Sequence, residues 1–127
     1  MILQFRTVTA ARDDQCRVSR PLTEIVLTAD YLRTDITPDA VLLTLATISN
    51  HATNGLRLDK QAVNGRYSPA VDSAIIALLE RIDAATRGLA GYVHADFVAF
   101  MLQSCGDAST ACQQRMAAHV ERKERAA

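Results

Sequence analysis

Polar and apolar positions follow two different periods along this chain. In residues 1–20, Leu3 and Phe5 alternate with Gln4 and Arg6, and Cys16 and Val18 alternate with Gln15, Arg17 and Ser19. Period-two alternation predicts two short extended segments. Arg12, Asp13 and Asp14 form the turn between them. From Pro21 the spacing changes. Leu22, Ile25, Val26, Ala29 and Leu32 fall at i, i+3, i+4, i+7 and i+10, which predicts a one-sided helix of about three turns. Ile25, Leu27, Ala29 and Tyr31 also alternate, so a strand competes. Glu24 and Asp30 are poor strand formers and favour the helix.

The following elements are punctuated by caps and breakers. Thr37 as N-cap, Pro38 at the first helical position and Asp39 at the positive end of the dipole predict a helix over 38–53. Val41, Leu45, Ile48 and Ala52 make its apolar face. Asn54-Gly55 is its expected end, with Leu56 packing back after the glycine. Residues 56–67 read either as a linker or as a short helix over 59–63 capped by Asn64-Gly65. Ser68-Pro69 starts another helix, with Val71, Ile75, Leu78, Ile82 and Ala85 on one stripe and Gly88 as its stop. A further helix is expected from His94 to Ser104, apolar on most sides and ended by Gly106. The last runs from about Ser109 to Glu124 into ERKERAA, which is charged on every side. The expected fold class is mainly α: a short N-terminal β-strand followed by helices. Residues 1–55 form one region, and residues 56–127 form a C-terminal helical region packed on it.

Composition narrows the class. The 127 residues are 49% apolar and 22% charged, as in ordinary globular proteins. No run of 18 apolar residues occurs, so no transmembrane helix and no membrane partner are expected. MILQFRTV lacks a basic n-region and a long apolar core, so it does not read as a signal peptide, and the expected location is cytoplasmic. Fourteen basic residues balance fourteen acidic ones, which gives no global pull toward nucleic acid or anionic lipid. Twelve of the basic residues are Arg. That suits phosphate and base recognition and is equally the mark of a GC-rich genome.

Catalytic motifs are missing. The chain has no glycine-rich phosphate loop, GxSxG, HExxH or paired CxxC. It reads as a non-enzyme without a cofactor or metal. His51, near the expected end of its helix, is best explained by its C-terminal carbonyls. A small enzyme would need His94, His119 and an acidic residue to converge on a pocket. Cys105, Cys112 and His119 are spaced by seven and would share a face in one straight helix. A zinc site needs a fourth ligand. A disulfide between the last two helices and small buried thiols at a helix interface are the other readings.

Residues 15–53 carry the sharpest hypothesis. Gln15, Arg17 and Ser19 form one face of an extended segment, Pro21 ends it, and two helices follow. A strand polar on one face is hard to stabilise alone. Two copies can pair it into a ribbon over a shared helical core. QCRVSRPLTEIVLTADYLRTDITPDAVLLTLATI resembles the ribbon-helix-helix family of DNA-binding proteins. The chain departs from that pattern between the helices, where Thr34-Asp35 replaces the usual glycine, and at Pro38 and Asp39. The resemblance implies a homodimer that reads the major groove of double-stranded DNA through Gln15, Arg17 and Ser19. Arg20 lies beside them, and Thr37 and its successors grip a phosphate. LATISNHATNGLRLD before a long helix is similar to the mobilisation accessory proteins of plasmid relaxosomes. The expected function is therefore a dimeric repressor or conjugation accessory, with the C-terminal helices adding dimer surface or docking another protein. The alternative is a helical protein–protein interaction module, such as an adaptor, chaperone or immunity protein, with no nucleic acid.

Overall fold

A computed structural model describes residues 16–34 and 39–126. They form four helices: α1 (Ser19–Leu32), α2 (Asp39–Val63), α3 (Pro69–Arg87) and α4 (Ala95–Ala126). The helices run up, down, up and down, and each packs against two neighbours in a closed ring.

Buried side chains recur at alternating steps of three and four, the spacing of a bundle seam. In α1 these are Leu22, Ile25, Ala29 and Leu32. In α2 they are Val41, Leu45, Ile48, Ala52, Gly55 and Asp59. In α3 they are Asp72, Ile75, Leu79, Ile82 and Thr86. Met101, Cys105, Ala108 and Cys112 face them from α4. Polar groups in this core are hydrogen-bonded, within a helix or across to the next. Thr86 donates to the Ile82 carbonyl at 2.7 Å, and Ser49 donates to Asp30 Oδ1 at 2.9 Å.

The expected N-terminal strand is overturned. Among the described residues there is no strand. Cys16 is helical, Arg17 and Val18 form a turn into α1, and Val18 has helical backbone angles of φ −88° and ψ −46°. The physical reason lies in the spacing. Val18 stands four residues before Leu22 and is only 3% exposed, so it extends the 22–25–29–32 stripe by one turn. Burial on the helical period outweighs the two-residue alternation with Cys16. Pro21 falls in the first turn of α1, where its missing N–H costs no helix bond. The first expected segment, residues 2–8, lies outside the described residues, as do the Thr37 cap and Pro38.

Two expected breaks are continuous helix. Asn54-Gly55 sits inside α2, whose stripe continues from Ala52 through Gly55 to Asp59. Gly55 belongs there because a Cβ would stand 3.2 Å from both Leu22 methyl carbons. Leu56 therefore packs from within the helix. Gly106 likewise lies inside α4, which takes the place of the two expected C-terminal helices. That first stretch is also less buried than expected, with Phe100 43% exposed.

Other terminators act as expected. Gly65 has φ +86°, and the Arg66 N–H reaches back to the Gln61 carbonyl at 3.2 Å, closing α2 in a Schellman turn. Pro69 opens α3 after Ser68, whose backbone is extended but whose hydroxyl makes no capping bond. In α3 the buried line runs through Leu79 and Thr86, leaving Val71, Leu78 and Ala85 half-buried beside it. Asp72 lies fully buried on that line.

Candidate functional site

The α1–α4 seam opens into a groove of about 520 Å³. The helices are antiparallel here: Arg17 donates to Gln114 Oε1 at 3.3 Å near one end, and the Tyr31 and Phe97 rings lie 5.9 Å apart near the other. Helical periodicity builds both walls. Arg17, Arg20 and Glu24 line the α1 side, and Phe100, Ser104 and Asp107 line the α4 side. One and two turns beyond Glu24 on the same α1 face come Leu27 and Tyr31, which are 59% and 55% exposed. The seam thus grades from charges of both signs at one end to an apolar, aromatic edge at the other.

Of the expected base-reading residues, Arg17 is in the turn before α1 and on the groove wall. Ser19 is the half-buried first residue of α1, and Arg20 lies in its first turn. Gln15 and Thr37 lie outside the described residues. The described members of the set lie on a turn and a helix, so they form no edge of a ribbon.

A second constellation lies where α2, α3 and α4 meet beyond the start of α1. Arg115 Nε donates to Asp72 Oδ2 at 2.9 Å and Nη2 donates to Oδ1 at 2.6 Å, a bidentate fork. Its Nη1 donates to Asp59 Oδ1 at 2.8 Å. The Tyr67 hydroxyl donates to Asp72 Oδ2 at 2.8 Å, and the Arg115 guanidinium sits 5.6 Å above the Tyr67 ring. His119 packs edge-on against the same ring at 5.0 Å. Asp59 and Asp72 are buried, and the three charges sum to −1.

The electrostatics follow from burial. Desolvation pushes Asp59 above the ordinary carboxylate range, with Arg115 opposing and Asp72 adding to the rise. Burial works against the Arg115 charge, yet its bonds to Asp72 and Asp59 hold the guanidinium protonated more firmly than usual. Burial, then the Asp72 carboxylate, raises Tyr67 to about 12. Nε, Nη1 and Nη2 of Arg115 are all engaged, so the cluster ties three helices together and offers no open anion site.

Cys105 and Cys112 are inert by the same physics. Burial pushes the Cys105 thiol up to about 12, and burial with Asp72 beside it also raises Cys112. A thiol held protonated is a poor nucleophile and metal ligand. Both are free thiols on one face of α4, with His119 one heptad further on. No cluster of metal-ligating side chains occurs among the described residues. A smaller cleft of about 360 Å³ between α3 and α4 reaches Cys105 beside Asp83.

The histidines do not converge. His94 precedes α4 and accepts the Asp96 backbone N–H on Nδ1 at 3.1 Å, in the manner of an N-cap. His119 lies 25 positions along the helix, about 38 Å at 1.5 Å per residue. His51 is mid-helix in α2, away from any terminal carbonyls. Sequence reasoning missed Asp59, Asp72 and Arg115. Their signal was a charge at each of three seam positions. No helix of the described residues is long and apolar enough to cross a membrane. No family model matches the chain, and neither a curated protein nor a solved structure is similar to it.

Proposed function

We propose that this chain is a non-catalytic interaction module that holds an amphipathic helix of a partner protein along the α1–α4 groove. The observation that carries the reading is the groove's graded lining. Leu27, Tyr31 and Phe100 expose large apolar side chains along one seam. Arg17, Arg20, Glu24 and Asp107 surround its other half. Two antiparallel helix walls suit a third helix with anchors at i, i+4 and i+7. The apolar edge supplies affinity, and the charges of both signs set the direction of the bound helix. Glu24 and Asp107 on the lining disfavour a phosphate backbone as the occupant.

The test is selection of a displayed library of amphipathic helical peptides against the native chain, with Leu27→Asp and Phe100→Asp as comparison baits. Selected peptides are expected to bind the native chain and to lose about tenfold or more in affinity on either variant, with thermal melts unchanged. Selection of no peptide, or of peptides that bind all three proteins equally, overturns the reading. Self-association by light scattering that the same variants abolish would replace the partner helix with a second copy.

A further inference from the structure

The Asp59–Arg115–Asp72 cluster holds more negative than positive charge, and its bonds divide unequally. Asp72 receives the guanidinium fork and the Tyr67 hydroxyl, so both of its oxygens are bonded by donors. Asp59 receives one hydrogen bond, from Nη1, and is 3% exposed. One guanidinium cannot compensate two buried carboxylates, and burial disfavours the uncompensated charge. The less-bonded oxygen pair is where a proton is best accommodated.

We infer that this cluster is a proton-operated clasp in which Asp59 takes up the proton, so that the bundle gains stability as its surroundings acidify. The groups facing Asp59 are Arg115 on α4 and Asp72 on α3. Around them stand Cys112 and His119 on α4 and Tyr67 in the α2–α3 connection. Lys60, its neighbour in α2, is exposed. With the proton on Asp59, Arg115 and Asp72 remain as a balanced, bidentate pair. The direction of the Asp59 shift agrees. A carboxyl that holds its proton more tightly folded than unfolded contributes stability below its unfolded value of 3.8. That stability is lost as pH rises through the higher folded value. His119 packs against the Tyr67 ring and is the remaining titratable side chain beside the cluster.

The experiment compares urea denaturation midpoints of the native chain and Asp59→Asn from pH 7 down to pH 4. Titrating groups away from the cluster are common to both proteins and cancel in the difference. The native midpoint is expected to rise relative to the variant as pH falls, in the His119→Gln background as well. A constant difference, or a native midpoint that falls relative to the variant, overturns the inference. A second measurement needs no variant. In a carboxyl carbon-13 titration of the native chain, the Asp59 resonance is expected to move above the range of an ordinary carboxyl. Titration of Asp59 within that range also overturns it.

Discussion

Gly55 of α2 meets Leu22 of α1 so closely that a Cβ on the glycine would lie 3.2 Å from both leucine methyl carbons. Leu22 is fully buried and has little room to withdraw. Gly55→Ile is therefore expected to destabilise the fold by about 1–3 kcal/mol through overpacking. Adding Leu22→Ala should cost less than its effect in the native background, since it vacates the space the new side chain needs. A double-mutant cycle from urea denaturation checks the coupling.

Gly106 gives the opposite expectation. It is helical and exposed, and a Cβ there would meet nothing within 4 Å. Gly106→Ala should stabilise the chain by about 0.5–1 kcal/mol through helix propensity alone, read as a higher melting temperature.

Removal of Arg115 leaves two buried carboxylates facing each other. Arg115→Ala is expected to cost about 3–5 kcal/mol at neutral pH. Arg115→Lys keeps the charge but loses the fork to Asp72, so it should recover only part of the loss. Equilibrium denaturation of the three proteins at pH 7 tests the order.

Alkaline pH should loosen the bundle. Burial holds Cys105 and Tyr67 at about 12 and raises Cys112. Each group keeps its proton more tightly folded than unfolded. The thiol contribution is complete below the unfolded value of 9.0 and is lost as pH climbs through about 12. The denaturation midpoint of the reduced protein is expected to fall between pH 9 and pH 12, less steeply in Cys105→Ala. A thiol titration at pH 8 should find half-buried Cys16 reactive first, and Cys105 and Cys112 only after unfolding.

Much of the fold was legible because burial follows helical spacing. The stripes of α1 and early α2 and the stop at Gly88 could be read directly from residue order, and the Gly65 turn was one of two readings of its stretch. The misread breaks share one cause. Asn54-Gly55 and Gly106-Asp107 carry breaker residues, but the seam spacing runs through both, as Ala52–Gly55–Asp59 and as Cys105–Ala108–Cys112. Tertiary packing overrides local propensity there. Val18 departs from the expected strand for a related reason: five alternating residues mimic a strand until Leu22 supplies the helical partner. The cluster was not legible. Asp59, Asp72 and Arg115 are 56 positions apart at the extremes, and isolated charges read as solvated faces until the bundle brings them together. The groove was hidden likewise, since Leu27 and Phe100 become neighbours of one seam only when α1 lies against α4.

The three-way contact at Arg115 also solves a problem of indexing. Apolar seams that repeat every seven residues resemble themselves after a slide of one repeat, about 10 Å along a helix axis. Such a slide costs a greasy interface little at each position, so several axial settings of α4 would compete. Arg115 removes the degeneracy, since only one setting places its fork on Asp72 and its remaining nitrogen on Asp59. The cluster acts as a keyed notch that fits one alignment of the bundle.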